Sequence, residues 1–360
     1  MTQRERQILE LIAQNPMISQ AELADALGIA RSSAAVHISN LIKKGHIVGK
    51  GYVLRTGTYA VVVGGANVDI GGRSHRALVA EDSNPGRVGL SLGGVGRNIA
   101  HNLSLLGADV RMLTAYGDDL YGQNLVSACT AAGIDMTHAL KLRDEATSTY
   151  LYIAGEDGEM AVAVSDMAIC DRITPDYLAS NYALLQNAQA IVCDTNIPAE
   201  SLEYLAAQFQ VPIFCDPVST AKAEKIRPIL GKLHTLKPNR LEAELLSGVK
   251  ITSKETAIEA ARVLLDTGLK QVVISLGADG VFAANRDEQV WMQNLPATMV
   301  NTTGCGDSFM AALVWAYLEE MSLEESVRAG LAASSITIES TETISPEMGE
   351  ELVRQRMERN

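Results

Sequence analysis

The sequence predicts an α/β protein: a doubly wound, mostly parallel sheet with a small β lid, preceded by a small helical module with a β wing. Three observations lead there. First, TYAVVVGG, IVCDTN, PIFCDP and VVISLG are apolar runs that each stop at a glycine or polar turn, with amphipathic helical segments between them. Strands buried on both faces of a parallel sheet read this way. Second, RSHRALVAEDSNPGRVGLSL and TSTYLYIAGEDGEMAVAVSD read as strands without a crossover helix of their own, the latter turning at Glu156-Asp157-Gly158, so a small antiparallel flap is expected over about residues 71–92 and 147–165. Third, residues 1–56 carry seven Lys/Arg against four Asp/Glu, while the whole chain is at −13. Such a charge asymmetry points to two modules with different partners.

The N-terminal module comes first. RERQILELIAQN places Ile8, Leu9, Leu11 and Ile12 at helical spacing and ends at Asn15-Pro16. Ser19 with Glu22 three positions on is a capping box opening a second helix, which Gly28 closes. A third helix from about Ala30 to Lys44 keeps Val36, Ile38, Leu41 and Ile42 for the core and leaves Arg31, Ser32, Ser33 and His37 near its start. HIVGKGYVLR then reads as a short hairpin turning at Gly49-Lys50-Gly51. This order resembles a bacterial winged helix-turn-helix domain over residues 1–56, which implies duplex DNA as a partner, the third helix in the major groove and the wing on phosphates. A three-helix bundle serving as an interaction cap is the other reading of the same residues.

The rest of the chain, 58–360, has the length for a sizeable core. With 47% hydrophobic and 20% charged residues the whole chain reads as globular, and no apolar stretch of about 18 residues offers a membrane span. MTQRERQILE has no apolar signal region. The five cysteines, Cys129, Cys170, Cys193, Cys215 and Cys305, are scattered with no CxxC and no metal-ligand spacing, so a reduced cytoplasmic protein is expected. In open α/β sheets ligands bind beyond the C-terminal strand ends, where Asn67, Asp69, Asp194, Asn196, Asp216 and Gly277 fall.

Four motifs carry chemistry. In NTTGCGDSF, glycines precede a long apolar helix, so backbone N–H groups of Thr302 to Asp307 can converge on an anion that the helix dipole also favours. An aspartate in that turn, Asp307, would repel the anion unless it takes a proton from an attacking hydroxyl; an ordinary glycine turn with an acidic cap is the plainer alternative. GGVGRN opens another helix: Gly94 and Gly96 lack the third glycine of a dinucleotide fingerprint, leaving close approach to a polyhydroxy ligand with Asn98 beside it, or a mere helix-start turn. In KPNRLE, Asn239 and Glu242 stand three apart at a helix start, fit to hold Mg²⁺ through water beside phosphates or simply to form a capping box. SLGADG puts Gly277 and Gly280 in a flat turn after a buried strand.

In this order the four motifs resemble the ribokinase-like (PfkB) family of carbohydrate and nucleoside kinases, over about residues 58–345. The resemblance implies the ribokinase-like fold and its β lid. By position it implies Asp307 as catalytic base, with the backbone of Gly304, Cys305 and Gly306 as anion hole. It further implies Asn239, Ser275, Gly277 and Gly280 on the ATP side, Glu242 at Mg²⁺ through water, and Asn67, Asp69, Gly93, Gly94 and Asn98 holding the acceptor. Two positions depart: Asn301 stands where the last motif usually opens with Asp, and Cys305 replaces a common Ala. GGVGRN in place of the GGKGAN of ribokinases proper argues against free ribose. GGANVDIGGRS and CDPVSTAKA are most similar to pseudouridine kinases and related bacterial nucleoside kinases. The implied reaction moves the γ-phosphoryl group of ATP to the 5′-hydroxyl of a ribonucleoside, pseudouridine favoured. Inosine, guanosine, cytidine, adenosine or a sugar are the other acceptors, and a nucleoside-sensing regulator is the alternative of another class. K⁺ as an added cofactor and a homodimer through the lids are implied by resemblance alone. Arg97 and Asn84 are lid or base contacts or, in the favoured reading, surface residues; Lys222 approaches phosphate or lies on a solvated helix face.

Overall fold

Three helices, Gln3–Gln14, Gln20–Leu27 and Arg31–Lys43, open the chain. The computed structural model describes residues 1–47 and 58–358; the expected wing turn at residues 49–51 and the expected boundary at residue 56 lie outside them. Ser19 Oγ accepts from Glu22 N while a Glu22 carboxylate oxygen accepts from Ser19 N, the reciprocal cap the sequence predicts. Ile8, Ile12, Leu23, Ile38, Leu41 and Ile47 form the core of this module. Val36 and Ile42, expected in that core, are instead exposed. The buried face of the third helix runs Ala34, Ile38, Leu41, spaced four and three, and residues 36 and 42 fall off that stripe.

The large unit is a nine-stranded sheet. From one edge its strands are Gln289–Met292, Val281–Asn285, Gln271–Ser275, Thr235–Leu236, Ile213–Asp216, Ala190–Asp194, Tyr59–Val63, Asp109–Leu113 and Ile134–Asp135. Every neighbouring pair is parallel except the two at the first edge, which are antiparallel. Both faces are covered, so the side-chain alternation of each strand sorts one apolar run into two cores. Val61, Val63, Ile191 and Cys193 pack with Leu178, Leu202, Leu205 and Leu264. Ala60, Val62, Ala190, Val192 and Phe214 pack with Ile99, Leu103, Met310, Val314 and Ile336. The helix Cys305–Leu318 is buried on nearly every side, between the helices Val95–Leu105 and Leu323–Ile338, which explains why its sequence is apolar all round.

The two unassigned segments form a separate four-stranded sheet in the order Gly86–Gly93, Asn67–Ser74, Thr149–Ala154, Met160–Asp166, parallel at its centre and antiparallel at its flanks. The strand Asn67–Ser74 follows Tyr59–Val63 after only three residues, so Asn67 and Asp69 begin the lid instead of ending the main sheet. Gly155 N donates to Glu159 O and Gly158 N to Gly155 O, closing the turn at Glu156-Asp157-Gly158.

Candidate active site

The turn before the helix Cys305–Leu318 is shaped by Gly304. Its φ is 83°, and a Cβ there would collide with the Thr343 carbonyl, so the left-handed backbone is open only to glycine. This conformation sets Cys305, Gly306 and Asp307 as the first residues of a long helix, their N–H groups without intrahelical partners. Cys305 and Gly306 border a cavity of about 740 Å³, lined also by Lys237, Asn239, Ser275, Gly277 and Gly280 and by an apolar wall of Val281, Leu295, Phe309, Leu331 and Ile338. Residues from three of the four motifs therefore meet on one cavity, the size and lining of a nucleotide site.

Asp307 reaches across to the second glycine motif. Asn98 Nδ2 donates to Asp307 Oδ2 at 2.8 Å. Burial pushes the Asp307 carboxyl up to about 7; Asp216 and Asp194 add to the rise, while Asn98 and Lys237 oppose it. A carboxyl so placed is half ionised near neutrality, the range in which a general base is most effective.

On the far side of Asn98 lie the other predicted acceptor residues. Asn67 Nδ2 donates to Asp69 Oδ1 at 2.6 Å, and burial raises the Asp69 carboxyl above its ordinary range. A side chain at Gly93 would collide with the Asp69 carboxylate, so that glycine makes room for it. Gly94 has a φ of 95° and packs against the Gly65–Ala66 backbone, which fixes the loop that delivers Asn98. Asp194 locks this arrangement: fully buried, it accepts from Gly65 N at 3.0 Å, Gly96 N at 2.7 Å and Asn196 N at 2.8 Å.

The Asn239 and Glu242 pair forms a complete capping box. Asn239 N and Nδ2 donate to the two Glu242 oxygens at 2.9 and 2.8 Å, and Glu242 N donates to Asn239 Oδ1 at 3.0 Å. Burial, reinforced by the Asp216 charge, raises the Glu242 carboxyl. The bland reading of this motif is thus realised, and it leaves each carboxylate oxygen one further lone pair. Ser275 N donates to Pro238 O and Asn294 Nδ2 to Gly277 O, joining this segment to the glycine turn.

Three residues that had two readings each take definite places. Arg97, expected on the surface, is only 8% exposed, because its guanidinium finds acceptors at Leu92 O and Asn98 Oδ1, each 3.0 Å away. Asn84 is half-buried; its Oδ1 accepts from Val79 N and its Nδ2 donates to Val79 O, closing the loop 75–85. Lys222 is held by Asn196 Oδ1 at 2.6 Å, not by the solvent of a free helix face.

Sequence reasoning missed Lys237. It is buried and pairs with Asp216 at 3.0 Å, and a side chain on Gly306 would come within 3.5 Å of its ammonium. Burial pushes its pKa down, but Asp216, Asp307 and Glu242 more than offset this and hold it above the ordinary lysine value. It therefore stands as a fixed cation beside the glycine turn. The one available signal was its place before Pro238-Asn239 at a strand end.

Residues 57–348 match the pfkB family carbohydrate kinases, and residues 1–48 match winged helix-turn-helix DNA-binding domains. The sugar kinase YeiI of Escherichia coli K12, itself described as uncharacterized, is 40% identical over 339 residues, 94% of each chain. The pseudouridine kinase of the same organism is 40% identical over 297 residues, 82% of this chain and 95% of its own. A carbohydrate kinase structure from Agrobacterium tumefaciens superposes with a TM-score of 0.74 at 29% identity, covering 84% of this chain and 97% of that one. The chain belongs to the PfkB family: it is a nucleoside or sugar kinase with the ribokinase-like fold, an ATP-dependent phosphotransferase carrying an N-terminal winged helix-turn-helix module.

Proposed function

We propose that this kinase phosphorylates the 5′-hydroxyl of a ribonucleoside, with pseudouridine as the favoured acceptor. The observation that carries the reading is the 2.8 Å contact between Asn98 and Asp307, which joins the acceptor loop to the turn bordering the nucleotide cavity. In this reading Asp69, Asn67 and Asn98 hold the ribose hydroxyls. Carboxylate and amide oxygens are the acceptors a diol needs. The acceptor oxygen attacks the γ-phosphorus, the bond to the bridging oxygen of ADP breaks, and the hydroxyl proton passes to Asp307. Backbone donors of Gly304 to Gly306 and the Lys237 ammonium stabilise charge on the migrating group. The 40% identity to a pseudouridine kinase supports the choice of base.

ATP and typically Mg²⁺ come with the family. Among the described residues no group of three or more Asp, Glu, His or Cys could enclose a metal ion. The Asn239–Glu242 pair, whose carboxylate oxygens keep further lone pairs, would hold a hydrated Mg²⁺ through a water beside the phosphates. Mg²⁺ supplies neutralisation of phosphate charge. Five free cysteines suit a reducing cytoplasm. Among the described residues no helix is long and apolar enough to cross a membrane.

An acceptor panel with Mg-ATP tests the reading by ADP release. Pseudouridine should turn over faster than inosine, guanosine, cytidine, adenosine or ribose, in buffers with and without K⁺. Turnover of a hexose phosphate together with inertness of every nucleoside would overturn it. For the N-terminal module we propose duplex DNA binding through the exposed Arg31, Ser32 and Ser33. Full-length protein should bind DNA with salt-dependent affinity, and Arg31→Ala should weaken it; no salt-sensitive binding makes the module an interaction cap.

A further inference from the structure

Burying a guanidinium is costly unless its donors find acceptors, so the partners of Arg97 report its purpose. Arg97 lies in the first turn of the helix Val95–Leu105. Its Nη1 donates to Leu92 O, near the end of a lid strand, and to Asn98 Oδ1, both at 3.0 Å. Nη2 faces His101 Nδ1 at 3.2 Å. Burial, with the Arg97 charge beside it, pushes His101 down to about 4, so the ring is neutral near physiological pH and Nδ1 accepts.

An asparagine amide has a donor end and an acceptor end. Arg97 occupies the acceptor end of Asn98, which leaves only Nδ2 for Asp307. Were the amide turned over, its oxygen would face Asp307, repelling an ionised carboxylate and accepting from a protonated one. The guanidinium thus selects the rotamer that stabilises the ionised base.

We propose that Arg97 is a positioning residue for phosphoryl transfer, fixing the Asn98 amide so that its NH₂ group faces Asp307 and tying that contact to the lid through Leu92. The proposal rests on Asp307 as the base. The other charged groups facing Asp307 are Asp194 and Asp216 at two strand ends and Lys237 beside the glycine turn. Around Arg97 stand Asp69 from the lid, His101 on its own helix, Cys129 from the helix Leu120–Ala131 and Asp307 itself, on which the guanidinium charge also acts directly. Among these, Arg97 alone bonds the side chain that touches Asp307.

The test is the titration of Asp307 itself, read by carbon NMR of labelled carboxyls in the full chain, which needs no acceptor. In Arg97→Met, which keeps the packing, the Asp307 midpoint should rise by roughly one pH unit. In Arg97→Lys the charge is kept but the shorter stem leaves the ammonium short of the place of Nη1, loosening its hold on Leu92 O and Asn98 Oδ1, and the midpoint should rise by about half as much. An unchanged midpoint in Arg97→Met overturns the proposal; should that variant not fold, an unchanged midpoint in Arg97→Lys does so. Kinetics with pseudouridine and Mg-ATP give a second readout: kcat/KM should fall about tenfold on the acid side and recover at high pH, with the KM for ATP unchanged. A loss equal at all pH values would mark a purely structural residue and overturn the proposal. Failure of the base reading looks different: Asp307→Asn would turn over normally while the wild-type midpoint still responded to Arg97.

Discussion

The two halves of the cleft are built from different materials. The half proposed for the nucleotide presents glycines and an apolar wall of Val281, Leu295, Phe309, Leu331 and Ile338, with Lys237, Asn239 and Ser275 among its polar side chains. The half proposed for the acceptor presents Asn67, Asp69 and Asn98 from the lid and its following helix, underpinned by buried Asp194. The difference follows from what each must hold. A flat base with a charged tail is gripped by shape and by N–H groups, whereas a polyol needs oriented acceptors. Asp307 sits at the seam, where Asn98 and Asp194 from one half and Lys237 from the other set its electrostatics.

That comparison can be broken at the seam. Lys237→Met removes the partner of Asp216, leaving a buried carboxylate uncompensated. About 3–5 kcal/mol of stability should be lost, measured by chemical denaturation; a loss below about 1 kcal/mol would mean the pair is effectively solvated. Asp307→Asn comes next. It should lower kcat by at least about 100-fold with the fold intact, and near-normal turnover removes Asp307 from the role of base.

The pH profile sharpens the same point with a smaller effect. Asp307 must be ionised to accept a proton and its carboxyl is pushed up to about 7, so kcat/KM should climb with pH and level off above that value. Below it the slope should be about tenfold per unit. A plateau extending down to the ordinary carboxylate range would show that the seam is not desolvated.

The smallest effect concerns the outer lid. Val88, Leu90, Val162 and Val164 are exposed on the four-stranded sheet, and a homodimer through this sheet is the expectation to test. Val88→Ser with Val162→Ser should change monomer stability by no more than about 0.5 kcal/mol. Sedimentation should nevertheless show a shift from dimer to monomer. An unchanged sedimentation profile would place the dimer contact elsewhere or abolish it.

Much of this was legible in the sequence because the main sheet is buried on both faces. Runs such as AVVV and IVC have one reading, and the glycine turns after them mark where the chain must bend. The lid was legible for the opposite reason: its strands lack a crossover helix, and a hairpin turn at Asp157-Gly158 separates two of them. Lone side chains were harder. Val36 and Ile42 are as apolar as Ile38 and Leu41, and only the phase of the helix separates them. Arg97 looked like a surface residue because arginine is seldom fully buried. Its acceptors, Leu92 O and Asn98 Oδ1, are near neighbours in sequence, but only the folded loop turns them inward. Lys237 was hidden for a different reason, since its partner Asp216 lies on the neighbouring strand.

The contacts that close the site span long stretches of chain. Gly65 and Asp194 are 129 residues apart, Gly96 and Asp194 are 98 apart, and Asn98 and Asp307 are 209 apart. A chain emerging from the ribosome carries both acceptor loops well before the carboxylate that fastens them, and longer still before the residue they serve. Such non-local closures are slow and come late in folding. A nascent chain halted anywhere before the helix Cys305–Leu318 lacks not only Asp307 but Met310, Val314 and Trp315 of the core, so an unfinished copy has neither the carboxylate nor the packing that holds the site together.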